Sequence, residues 1–135
     1  MEKTLFTQII NGEIPCFKVY EDAETFAFLD INPINPGHTL VVPKTQVADA
    51  LTAPEADWLA VMKTTHHLAP LIKKATEADG LNILTNSGTA SGQEVFHLHV
   101  HIIPRYENDQ RASRWQHSSY PPGEAEAVLK KILAV

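Results

Sequence analysis

Three histidines, His97, His99 and His101, stand at i, i+2 and i+4, with Leu98, Val100 and Ile102 between them. Alternate residues of a β-strand share a face, so a strand here puts the three imidazoles in one row. Neighbours would lie about 6.6 Å apart and the aliphatic residues would face the core. Packing alone does not ask for three imidazoles on one face. Two chemistries do. Neutral imidazole is the commonest zinc ligand, and a His-x-His pair on a strand can chelate one ion. Alternatively, a neutral ring nitrogen can attack phosphorus while its neighbours orient it and donate to phosphate oxygens. Gly92-Gln93-Glu94 directly precedes the row. Its backbone amides can receive phosphate oxygens as an oxyanion hole does.

The rest of the chain supplies the elements that hold this stretch. Thr4 can cap a short helix over residues 5–11, and Gly12 can end it. Residues 17–21 and 25–29 read as strands joined by a hairpin turn. Residues 32–37, with two prolines and a glycine, read as a loop. Residues 39–42 are a β-branched strand closed by Pro43. Residues 52–79 carry a helical stripe of Trp58, Met62, Thr65, Ala69 and Ile72, widened by Leu59 and Leu68. Pro54 suits its first turn, and Pro70 implies a kink or two abutting helices. Residues 81–85 and 95–103 read as strands, and 124–133 as helix. The order implies an α+β fold, an antiparallel sheet of about five strands with helices on one face.

The 135 residues suit one domain, with residues 1–106 as its core and 107–135 as a tail and short helix of the same domain. The chain is 44% apolar and 20% charged, which excludes a disordered class. A net charge of -5 provides no basic footprint for a nucleic-acid duplex. Cys16 stands alone, so no intramolecular disulfide can form. No apolar stretch approaches the ~20 residues that span a bilayer. Residues 1–11 carry no signal-peptide run. The expectation is a cytoplasmic protein with neither membrane nor nucleic-acid partners.

His97 to Ile103 resembles the signature of the histidine triad (HIT) superfamily, His-x-His-x-His followed by two apolar residues. Asp30-Ile31-Asn32-Pro33 through Gly37-His38-Thr39-Leu40-Val41-Val42-Pro43-Lys44 resembles its upstream block. Leu81-Asn82-Ile83-Leu84-Thr85-Asn86 is similar to the strand before its ligand loop. Ile9-Ile10-Asn11-Gly12-Glu13-Ile14-Pro15 is similar to the opening of its Hint-like branch, bacterial members included. The resemblance implies a HIT-like fold with a long central helix and a short N-terminal helix, joined as a homodimer in which the long helices pack together. It implies a hydrolase acting at the α-phosphorus of purine nucleoside phosphoramidates, of the adenosine 5′-phosphoramidate or lysine-adenylate type. His99 would be the nucleophile and form a covalent nucleotidyl-histidine. His101 would contact phosphate oxygens, His97 would support the ring network, and His38 would be a fourth histidine beside the triad. Asp30 would bind the ribose hydroxyls and Ile31 the base. Asn86, Gly92, Gln93 and Glu94 would meet the phosphate. No cofactor is implied. Alternatives are a dinucleoside polyphosphate hydrolase, a nucleotide-binding regulatory protein with incidental catalysis, and a metal-dependent hydrolase.

Two positions depart from the family pattern. Glu94 stands where many eukaryotic members carry serine, and an ionised carboxylate cannot donate to phosphate. Its backbone amide can, and its side chain could favour a cationic leaving group. Many bacterial members hold structural zinc with a Cys-x-x-Cys pair, a histidine after Pro-Lys and the first triad histidine. Here Thr4, Thr7 and Gln46 occupy those positions, and none is a good zinc ligand. No metal site is expected. His66, His67 and His117 read as surface or packing residues. Trp115 could shape leaving-group selectivity, and Arg111 and Arg114 could draw anions.

Overall fold

Thr25–Leu29 and Thr39–Pro43 are buried along their whole length, as strands covered on both faces must be. They form the middle of the sheet in a computed structural model that describes residues 2–109 and 117–135. The strands are β1 (Lys18–Glu21), β2 (Thr25–Leu29), β3 (Thr39–Pro43), β4 (Gly80–Leu84) and β5 (Val100–Arg105). The helices are α1 (Leu5–Ile10), α2 (Glu55–Thr76) and α3 (Glu124–Ala134). The five strands lie in the order β1-β2-β3-β5-β4, each antiparallel to its neighbours. This is the expected α+β sheet.

Period-two alternation gives the sheet two unlike faces. Ala27, Leu29, Val41, Val100 and Ile102 meet Val61, Leu68 and Ile72 of α2, and Val128 and Ile132 of α3. Phe26, Phe28, Leu40 and Val42 meet Phe6 and Ile9 of α1. His101 pairs with Leu40 across β3 and β5, so it shares the α1 face.

Three expectations change. The strand drawn over residues 95–103 begins only at Val100. The ladder register puts Pro43 beyond the last β3–β5 pair, and proline has no N–H to extend it. Residues 95–99 therefore bend away, with Leu98 N–H donating to the Val47 carbonyl at 2.7 Å. Instead of two abutting helices, α2 runs unbroken through Pro70. Pro70 and His66, whose carbonyl loses its partner, are both exposed, so water can meet that carbonyl. Finally, helices cover both faces of the sheet rather than one, because Phe6 and Ile9 of α1 pack on the face opposite α2 and α3.

Candidate active site

The departure of residues 95–99 from the ladder decides how the triad is used. The side chains do not form an even row. His101 stays on β5, with its ring centroid 5.0 Å from that of His99. His97 turns beneath α1, where Phe6 packs edge-on against both His97 and His99. His97 and His38 are fully buried, and His99 and His101 nearly so.

The partners of each ring assign its tautomer. His38 Nδ1 accepts the Ile34 N–H at 3.0 Å. Its hydrogen therefore sits on Nε2 and is donated to His101 Nδ1 at 2.9 Å. His101 in turn carries its hydrogen on Nε2, as a donor. His99 Nδ1 lies 2.7 Å from the His97 carbonyl, which can only accept, so Nδ1 holds the hydrogen and Nε2 keeps its lone pair. His97 Nε2 donates to the Pro43 carbonyl at 2.9 Å, and its Nδ1 accepts from Thr4 Oγ1 at 2.7 Å. Burial keeps these rings neutral. It pushes His38 down to about 3, aided by His117 and His99, and His101 down to about 3, aided by His99 and His38. Burial likewise lowers His97 and His99. The result is one unprotonated nucleophile beside one N–H donor.

These rings back a cleft of about 520 Å³. His99, His101, Asp30, Ile31, Asn86, Gly92 and Glu94 line it directly. Phe6, Ile9, Ile14 and Phe28 give it an apolar wall of a kind that suits a flat base. Ile31 stands 63% exposed at its side. Asp30 uses Oδ1 to accept the Asn32 N–H at 2.8 Å, while Oδ2 lies 3.7 Å from His38 Nε2. Gly92 adopts φ +106°, and a Cβ there would sit 3.6 Å from the Asn86 amide nitrogen. Gln93 is buried and holds the loop instead of lining the cleft. It accepts the Gly88 N–H and donates to the Ala48 and Val95 carbonyls. Asp30, His38 and His101 offer ligand atoms within 4.8 Å of one another. However, the facing His38 and His101 nitrogens share the Nε2 hydrogen of His38, so a cation would have to displace that proton.

The HIT domain family model matches residues 11–108, which include all four buried histidines and most of the cleft lining. The chain belongs to the HIT family. An uncharacterised HIT-like protein of Methanocaldococcus jannaschii is 50% identical over 95% of this chain and 97% of its own. The adenosine 5′-monophosphoramidase of Candida albicans is 41% identical over 75% of this chain and 69% of its own. The crystal structure of a HIT-like protein from Bartonella henselae superposes with a TM-score of 0.86 at 39% identity, covering 98% of this chain and 95% of that one.

Within this HIT domain the structure adds residues that motif reading set aside. His117 lines the cleft, with its Nδ1 donating to the Asn32 carbonyl at 2.8 Å. Nothing in the irregular stretch around it marked this, because the contact is made across 85 positions to a backbone atom. His67 packs against Tyr20, and His66 is exposed. Trp115, Arg111 and Arg114 lie outside the described residues.

Proposed function

We propose that this HIT protein hydrolyses purine nucleoside phosphoramidates through a nucleotidyl-histidine on His99. One observation carries the reading: the hydrogen-bond directions leave a lone pair on His99 Nε2 and a hydrogen on His101 Nε2, at the same cleft. His99 Nε2 forms the new N–P bond as the P–N bond to the leaving amine breaks. The amine departs with the bonding pair and a proton taken from solvent, which the hydrolytic water later returns. The ring then carries a positive charge, which its Nδ1–H shares with the His97 carbonyl. Charge in the loose transition state spreads over the equatorial oxygens, to which the His101 Nε2–H and the Glu94 N–H would donate, while the Gly92 and Gln93 N–H groups donate within the loop to the Thr89 and Gly88 carbonyls. Water next cleaves the N–P bond, releases the nucleoside monophosphate and restores neutral His99. Asp30 Oδ2 would accept from the ribose hydroxyls, and Ile31 would cover the base. The similarity to a fungal adenosine 5′-monophosphoramidase supports this substrate class.

Charge favours a phosphoramidate over a polyphosphate. Among the described residues, the cleft is lined by the carboxylates Asp30 and Glu94 and by no lysine or arginine. A chain of several phosphates would meet repulsion from those two carboxylates. Turnover of an adenosine 5′-phosphoramidate and of a diadenosine polyphosphate by one preparation tests this. The phosphoramidate should be turned over faster, and the reverse order would reject the substrate assignment. We place the enzyme in the cytoplasm as a homodimer. Among the described residues no helix is long and apolar enough to cross a membrane, and the edge strand β4 leaves Ile83 half exposed.

A further inference from the structure

The positions where bacterial relatives hold zinc do converge here, but on hydrogen bonds. Gln46 Oε1 accepts the Thr4 N–H at 2.9 Å and the Thr7 hydroxyl at 2.7 Å. Gln46 Nε2 donates to the Glu2 carbonyl at 2.7 Å. Thr4 Oγ1 caps α1 by accepting the Thr7 N–H at 3.1 Å. With the Thr7 hydrogen committed to Gln46 and His97 Nε2 donating to Pro43, the Thr4 hydroxyl hydrogen goes to His97 Nδ1 at 2.7 Å rather than to Thr7 Oγ1 at 3.2 Å; Thr7 Oγ1 lies farther from that nitrogen, at 3.4 Å. These donors do not fit zinc. Hydroxyl and amide oxygens are poor ligands, and each one has a hydrogen-bond role already.

We infer that Thr4 is a positioning residue: by donating to His97 Nδ1 it fixes the His97 tautomer, and through it the carbonyl that orients the nucleophile. The geometry gives the sequence of effects. A hydrogen supplied to Nδ1 obliges His97 to carry its own on Nε2, which then donates to the Pro43 carbonyl. That bond anchors residue 97 where the ladder has stopped. The His97 carbonyl is then held 2.7 Å from His99 Nδ1, keeping the His99 lone pair on Nε2. The N-cap of a six-residue helix thereby sets the protonation pattern of the triad without metal.

The test separates the cap from the donated hydrogen. Thr4→Ser keeps both. Thr4→Asp keeps the cap, since aspartate accepts the Thr7 N–H, but its carboxylate cannot donate to His97. The kcat arm rests on the phosphoramidase reading above; the tautomer arm uses free protein and does not. Nitrogen-15 shifts should show His97 protonated on Nε2 alone in wild type and Thr4→Ser, and on Nδ1 as well in Thr4→Asp, where the carboxylate and the Pro43 carbonyl both accept. With an adenosine phosphoramidate, Thr4→Asp should lose about 100-fold in kcat with KM little changed, the scale of a slight misplacement of a reacting group. Thr4→Ser should stay within about threefold of wild type. Wild-type His97 protonated on Nδ1, or Thr4→Asp with wild-type kcat, overturns the inference. If Thr4→Asp does not fold, the wild-type tautomer decides alone. If no variant turns over substrate while the His97 protonation changes as stated, the phosphoramidase reading fails and the positioning role stands.

Discussion

Acidification should weaken this fold well before its carboxylates protonate. In the unfolded chain each histidine titrates near its ordinary value of about 6.5. In the fold, burial holds His38 and His101 down to about 3. Their folded values are depressed, so their contribution is fully present above about pH 6.5 and is lost as pH falls below it, because the unfolded state takes up protons that the fold refuses. Each pH unit in that window costs about 1.36 kcal/mol per group, so between about pH 6.5 and pH 5 each ring loses about 2 kcal/mol. The hydrogen-bonded pair therefore loses about 2–4 kcal/mol, a large part of the 5–15 kcal/mol that typical domains possess. His97 and His99 shift in the same direction and add to it. The paired carboxylates Glu13 and Glu21 are held low by lysines, so they act only below about pH 5. Urea unfolding at constant ionic strength at about pH 7.5, 6.5 and 5 reads the loss. The exposed His66→Gln variant should follow the same curve as wild type. Stability that is flat or rising as pH falls across this window would refute the neutral buried network.

Two further outcomes test the cleft. Asp30→Asn should weaken AMP binding by about 1.5–3 kcal/mol, because charge-assisted bonds to the ribose are lost, and should change binding of a 2′,3′-dideoxy analogue far less. Isothermal titration with both ligands checks it, and equal losses would remove Asp30 from the ribose. Gly92→Ala should destabilise by about 1 kcal/mol from the positive φ and also weaken AMP binding, since relief of that strain would shift the neighbouring Glu94 amide. Unchanged affinity would separate this turn from the phosphate.

Much of this arrangement was legible in one dimension. The alternation at Phe26, Phe28, Leu40 and Val42 and the helical stripe of α2 each bury a face, and burial makes periodicity visible. The triad was legible because three like side chains at period two have few structural reasons. Its true shape was not. The end of the β5 ladder depends on which residue of β3 lies opposite, and nothing local to residues 95–99 reports Pro43. His117 and the Thr4–Gln46 contacts were likewise hidden, since they join residues 85 and 42 positions apart. The buried neutral state of His38 also depended on long-range packing, because a histidine after Pro-Gly reads equally well as a turn residue.

The central claim is that His99 Nε2 takes the nucleotide from phosphorus. Intact-mass spectrometry after brief mixing with an adenosine 5′-phosphoramidate, followed by acid-free quenching, tests it on the protein itself. Wild type should carry a covalent adenylyl group, and His99→Ala should carry none while still binding AMP. An adduct of the same yield on His99→Ala, or rapid turnover by that variant, would contradict the account.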